Sequence, residues 1–169
     1  MWVPDDHAAA LRRATEDGLI DVIATDHAPH TREEKEIGWL DMYAAPGGSP
    51  MIQHYLSLLL SEVNAGRLRL ERVIELCTSA PAKLVNLYPR KGAIAPGSDA
   101  DLVVVDLARD AVISAATSYH KCGWTNLEGR AVTGMPIMTI LRGQVIAEEG
   151  VVHARPGTGL PVTPPRVAP

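Results

Sequence analysis

The sequence predicts an α/β fold, and three features of its patterning predict it. A helix-forming segment leads into a short, β-branched, mostly apolar run. Helical segments with one apolar face follow. Beyond Pro89 the chain breaks into short apolar runs separated by Gly and Pro. At 169 residues there is material for one compact domain or two small ones, at roughly 150 residues per domain.

Each element has its own signal. Residues 5–17 carry Ala8, Leu11 and Ala14 among good helix formers, with Asp5 or Asp6 available as a cap and Gly18 as the stop. Residues 19–25 (Leu-Ile-Asp-Val-Ile-Ala-Thr) have the texture of a buried strand in a parallel sheet. Pro29 ends that ladder, so the polar cluster Asp26-His27-Ala28-Pro29-His30-Thr31 falls at the strand end. Residues 31–48 form a long charged connection closing on Ala44-Ala45-Pro46-Gly47-Gly48, longer than ordinary linkers and of the kind that serves active sites.

Ser49-Pro50 reads as a helix start, and Ile52, Tyr55, Leu56, Leu59, Leu60 and Val63 trace an apolar face up to Gly66. Residues 70–78 form another helix on Val73, Ile74 and Leu76, and a further one begins at Ser79 with Leu84, Val85 and Leu87. Residues 102–105, 112–113, 137–141, 145–146 and 151–152 read as strands of a small antiparallel unit. The prolines at 156, 161, 164, 165 and 169 predict an extended tail over residues 155–169.

Composition narrows the function classes. No apolar run approaches the roughly 18 residues of a membrane span, and residues 1–7 lack the basic and apolar regions of a secretory signal, so a cytoplasmic location is expected. Cys77 and Cys122 stand in unrelated contexts, without a CxxC pattern, and read as reduced thiols. The net charge of -4, with Lys and Arg dispersed, argues against a nucleic-acid partner, as does the absence of Phe.

Asp26, His27 and His30 carry the chemistry. A carboxylate and imidazoles can ligate Zn²⁺ or transfer protons, while the same residues would also serve as a turn cap beside surface histidines. Spacing alone leaves these readings level. His54 lies between apolar helix positions and reads as a packed histidine; Asp99-x-Asp101 reads as a capped turn. Trp39 and Tyr43 suit either a cover over the site or a local apolar anchor, and residues 120–122 (His-Lys-Cys) a surface loop.

The run Gly18-Leu-Ile-Asp-Val-Ile-Ala-Thr-Asp-His-Ala-Pro-His-Thr-Arg-Glu-Glu-Lys35 resembles the eighth-strand motif of the cyclic amidohydrolases, the dihydroorotase family in particular. Pro46-Gly47 resembles that family's substrate loop. Ser79-Ala-Pro-Ala82 with Leu87-Tyr88-Pro89 resembles the helix leaving the barrel, the stretch from Lys91 to Asp106 the return into a β-sandwich, and residues 134–143 the closing sandwich strand. The resemblance runs in family order from about Gly18 to Gly150.

It implies the C-terminal segment of a (β/α)8 TIM barrel, its last strand and helices, over residues 1–89. Part of a small β-sandwich over residues 90–154 follows. It further implies hydrolysis of a cyclic amide C-N bond in a metal-dependent enzyme, with Zn²⁺ as a binuclear cofactor in the complete protein. Asp26 corresponds to the family's metal-contacting aspartate, which takes a proton from the attacking hydroxide and returns it to the leaving nitrogen. His30, Pro46 and Gly47 correspond to substrate-binding positions, His30 on the substrate carboxylate and Gly47 through its N–H; Pro46, without an N–H, shapes the loop. His27 corresponds to a structural position.

A histidine at position 30 favours dihydroorotate over hydantoin, dihydropyrimidine or allantoin. The family's His-x-His pair, its mid-barrel lysine and its further histidines have no counterpart in this sequence, and a complete barrel takes about 250 residues. The expectation is therefore an enzyme segment whose site needs the N-terminal barrel portion, with homo-oligomer formation possible. The alternative is an amidohydrolase-like remnant that acts by association and has no membrane partner.

Overall fold

The computed structural model describes residues 4–164. Its helices are α1 (Asp5–Glu16), α2 (Arg32–Glu36), α3 (Tyr55–Asn64), α4 (Leu70–Cys77) and α5 (Ser79–Leu84). Its strands are β1 (Leu102–Val112), β2 (Ala131–Leu141), β3 (Gln144–Glu148) and β4 (Val151–Val152), joined in that order in one sheet. The architecture is α/β with a small sheet whose β2–β3 and β3–β4 pairs are antiparallel.

Among the described residues, 4–23, 62–106 and 136–164 form one compact unit, and residues 24–61 with 107–135 form a second. In the first unit α1 begins after Pro4 without a side-chain cap. Asp5 and Asp6 lie inside the first turn instead, where their charge faces the unpaired N–H groups. The helix stops at Gly18, φ +83°, with the Leu19 N–H donating back to Ala14 O at 2.9 Å, a closure that needs a left-handed residue. Val73, Leu76, Leu68 and Ala82 are the buried apolar side chains of this unit.

Residues 19–25 do not form the expected buried strand. Leu19 is 75% exposed. The main-chain ties of this stretch, besides that helix closure, include the Ile23 N–H to Leu76 O (3.3 Å) and the Arg72 guanidinium to Ile20 O (2.5 Å). A strand is defined by its neighbours, and among the described residues none runs alongside this one.

The sheet also departs from expectation. The apolar runs at 102–105 and 112–113 are one continuous strand, because the polar stretch between them is exposed and a solvent-facing strand tolerates charge. Gly134 lies inside β2 instead of ending it. The β2–β3 turn places Arg142 (φ +48°) and Gly143 (φ +79°) between paired Leu141 and Gln144, and Glu149 and Gly150 repeat the device before β4. Two consecutive left-handed residues match the twist of a two-residue hairpin.

Asp99 and Asp101 both grip the Lys91 ammonium, Asp99 at 2.8 Å, and Asp101 also accepts the Arg142 N–H at 2.7 Å, so the pair closes a turn. Residues 155–164 have no helix or strand, and Thr158 O accepts from the Arg142 guanidinium at 2.7 Å. The rest of the proline-rich tail, residues 165–169, lies outside the described residues.

The second unit has a core of Ile113, Leu127 and Val132, with Met51, Leu58, Ala111 and Met135 packed against it. This unit carries the candidate site.

Candidate functional site

The site is built on three short pieces of chain. Residues 26–30 supply the acid and the imidazoles, α2 supplies a carboxylate and an ammonium, and residues 46–49 supply main-chain groups. Asp26 is exposed and lies at φ +46°, a conformation that Asp visits more readily than most side chains. Such an outlier at a chain reversal is a common mark of a functional position.

His27 turns the other way. Its Nδ1 accepts the Met51 N–H at 3.1 Å and the Ile52 N–H at 3.2 Å, so it caps the entry to α3. The His54 and Tyr55 N–H groups return to Met51 O at 3.0 and 3.1 Å, so the first turn opens just after Ser49-Pro50 and regular helix follows from Tyr55, with His27 accepting two of the N–H groups that a helix start leaves unpaired. His27 is thereby a structural histidine.

His30 is partly exposed, with Nδ1 3.3 Å from Glu34 Oε2, and its carbonyl accepts the Trp124 indole N–H at 2.8 Å. Glu34 Oε2 also accepts the Thr31 N–H at 2.8 Å, while Thr31 Oγ1 accepts the Glu34 N–H at 3.3 Å. These reciprocal bonds are a capping box, and they start α2. The signal Thr31-x-x-Glu34 stands in the sequence, inside what reads there as a connection. With Nδ1 facing Glu34, the second ring nitrogen, Nε2, is the one turned away from that carboxylate.

Lys35, next along α2, reaches the loop. Its ammonium donates to Pro46 O and, at 2.7 Å, to Gly48 O. Gly48 has φ +82°, and a Cβ there would lie 2.5 Å from Ala28 Cβ and 3.1 Å from Asp26 O, so only glycine lets the loop lie against residues 26–28. The Ala28 N–H donates to Ser49 O at 3.2 Å, and His27 and Ser49 form a parallel bridge. Asp26 and the Pro46-Gly47 loop, 20 residues apart in sequence, are thus neighbours.

Lys35 closes the Gly18–Lys35 run, but its contacts, like that of Trp124, have no signature in the sequence, because each acts on a backbone carbonyl remote in the chain. An open cleft of about 380 Å³ lies beside them, lined by Arg32, Lys35, Glu36, Gly38, Trp39 and Trp124. Trp39 and Tyr43 are 90% and 100% exposed, so they are not the local anchor that their sequence position allows. Residues 120–122 lie in a turn without helix or strand, Lys121 exposed and His120 Nδ1 3.0 Å from Cys122 Sγ, while Thr125 and Leu127 beyond them are buried.

His54 is 7% exposed with Nε2 3.0 Å from Ser118 Oγ; burial, and then the nearby His120, lower its pKa against an opposing pull from Glu128. Among the described residues no three His, Cys, Asp or Glu side chains converge as a metal site. Asp26 alone does not fit Zn²⁺, which takes at least three protein ligands in catalytic centres.

Comparison with known proteins decides the lineage. Residues 3–146 match the model of the Amidohydrolase family. The chain belongs to the amidohydrolase family. Among curated relatives of this amidohydrolase chain, an L-hydantoinase of Paenarthrobacter aurescens is 43% identical over 151 residues, covering 88% of the chain and 32% of the relative. A dihydroorotase of Halobacterium salinarum is 42% identical over 153 residues, covering 90% and 35%. A solved D-hydantoinase structure superposes with a TM-score of 0.89 at 32% identity, over 93% of the chain and 35% of its own length. The amidohydrolase chain spans about a third of the length of the relatives it matches.

Proposed function

We propose that this chain carries the C-terminal part of a cyclic amidohydrolase active site, and that the substrate is dihydroorotate, opened to N-carbamoyl-aspartate. The observation that carries the reading is the juxtaposition of an exposed Asp26 with the Pro46–Ser49 loop, next to an imidazole oriented by Glu34. In this reading residues 1–89 are the last strand and helices of a (β/α)8 barrel and residues 90–154 part of a β-sandwich. The N-terminal barrel portion is the partner that completes the site.

Asp26 is the proton carrier. Its carboxylate takes a proton from the water that attacks the amide carbon; the tetrahedral adduct then breaks its C-N bond as the same proton passes to the leaving nitrogen. One carboxyl group serves both steps, so atoms and charge balance without a second acid. His30 holds the substrate carboxylate through Nε2, Gly47 donates its N–H, and Pro46 shapes the loop. Zn²⁺, which the family uses to activate water, would need more donors than the described residues bring together.

Hydantoin is the second reading, favoured by the 43% identical L-hydantoinase. His30 separates the two, because a hydantoin ring brings no carboxylate.

The test is turnover of dihydroorotate and of hydantoin with zinc supplied, by the chain alone and mixed with the remaining two-thirds of a related dihydroorotase. Dihydroorotate hydrolysis is expected in the mixture, falling by about 10²–10⁴-fold in Asp26→Ala. His30→Ala should raise KM for dihydroorotate and leave that for hydantoin unchanged. Preferred turnover of hydantoin overturns the dihydroorotate assignment. A mixture that binds but opens neither ring points to a remnant acting by association.

A further inference from the structure

We propose that Lys35 is a positioning residue of the site, gripping one edge of the Pro46–Ser49 strip so that the Gly47 N–H faces the Asp26 side and donates to a substrate oxygen. The substrate-oxygen half rests on the reading of Gly47 above; the grip rests on geometry alone.

Pro46 O and Gly48 O converge on one ammonium. The Pro46–Gly47 and Gly48–Ser49 peptides are trans, since the one cis bond of the described chain is Tyr88–Pro89. In a trans peptide the N–H points opposite to its C=O. The Gly47 and Ser49 N–H groups therefore point away from Lys35.

The opposite edge has a known neighbour. Ser49 O accepts the Ala28 N–H at 3.2 Å, and Ser49 bridges His27 in parallel, so the edge turned away from Lys35 is the one lying on residues 26–28. Ser49 occupies that edge against the strand end. Gly47 lies two residues before that bridge, and its N–H, opposed to Pro46 O, likewise points away from Lys35. A Cβ added at Gly47 would meet nothing within 4 Å, so the space around it is open.

Lys35 is suited to the task. It follows directly on the capping box that starts α2, so the turn that sets Glu34 against His30 also sets Lys35 against the loop. An ammonium has three donors and can hold two carbonyls together. Without it two acceptors of a glycine-rich strip would be released, and glycine has more backbone freedom to lose than any other residue.

Backbone NMR of the chain tests both halves, with acetate as the probe. In the unmutated chain the Lys35 Nζ should show through-hydrogen-bond coupling to the Pro46 and Gly48 carbonyl carbons, and acetate should shift the Gly47 amide proton downfield. In Lys35→Met both carbonyl resonances should move, and the acetate dissociation constant read at Gly47 should rise about tenfold as the N–H loses its fixed direction. Lys35→Arg should restore most of both, while the Gly66, Gly97 and Gly123 amides stay in place in every variant.

Absent coupling in the unmutated chain overturns the grip, even where Lys35→Met fails to fold. Carbonyl resonances and acetate affinity unchanged in a folded Lys35→Met overturn it too. A Gly47 amide that ignores acetate while the coupling is present overturns the substrate-oxygen half and with it the role given to Gly47 above.

Discussion

His54 shows how much one buried side chain contributes to the behaviour of the second unit. Its ordinary pKa of 6.5 is lowered in the folded chain, first by burial and then by repulsion from His120, with Glu128 opposing. The unfolded chain therefore takes up a proton that the folded chain resists. Stability from this residue is complete above about pH 6.5 and is lost as pH falls through that value. Urea unfolding between about pH 7 and about pH 5 should show a declining midpoint, and His54→Gln should flatten the slope. The carboxylates with lowered pKa, such as Glu62 and Asp99, act in a separate window, below their ordinary values of 4.5 and 3.8. At this scale Asp26, His30 and Gly47 were all legible as candidates, because each sits in a motif of adjacent residues. Lys35 was not, because what it holds lies 11 and 13 residues further on.

At the scale of elements, helix ends and turns follow local chemistry and most of them were readable. Gly18 stops α1, and the paired left-handed residues before β3 and β4 make tight hairpins. Gly92 carries a constraint of another kind. It has φ +77°, and a Cβ there would lie 2.8 Å from both Ser79 Cα and Thr78 O, against the start of α5. Gly97 has a similar φ of +90° with nothing within 4 Å. Both glycine-to-alanine changes meet backbone strain of about 1–3 kcal/mol, but only Gly92→Ala adds a clash with backbone that cannot yield. Urea midpoints should therefore rank unmutated chain above Gly97→Ala above Gly92→Ala. An equal loss for the two variants would show that strain alone governs both sites. The start of α3 belongs to this scale as well: the turn that leads into it opens at Met51, just after Ser49-Pro50, and His27 accepts the Met51 and Ile52 N–H groups that a helix start leaves unpaired.

At the scale of the whole molecule the chain leaves much apolar surface in water. Leu19, Trp39, Leu40, Met42, Tyr43, Ile94 and Leu160 are each at least 65% exposed, against a handful of fully buried apolar side chains. Trp39, Leu40, Met42 and Tyr43 fall within five residues of one another, and a contiguous exposed apolar patch marks an association surface. Sedimentation velocity over a concentration series should show self-association that grows with concentration, and Trp39→Ser with Tyr43→Ser should weaken it. A concentration-independent monomer would show that this surface is closed in solution.

The residues alone settled whatever depends on near neighbours: the α/β character, the helical segments, the hairpin glycines, and the family, through a motif at Asp26–His30 and its companions in order. Those features rest on torsion preferences and periodicity within a few positions. Tertiary structure decided whatever needs a second piece of chain. Residues 19–25 have the composition of a buried strand yet carry no ladder, since a strand exists only with a partner. The bond from Trp124 to the His30 carbonyl spans 94 residues, and the grip of Lys35 ends on carbonyls that every residue type possesses. A backbone acceptor has no signature in sequence, so contacts of this kind become visible only once the chain is folded.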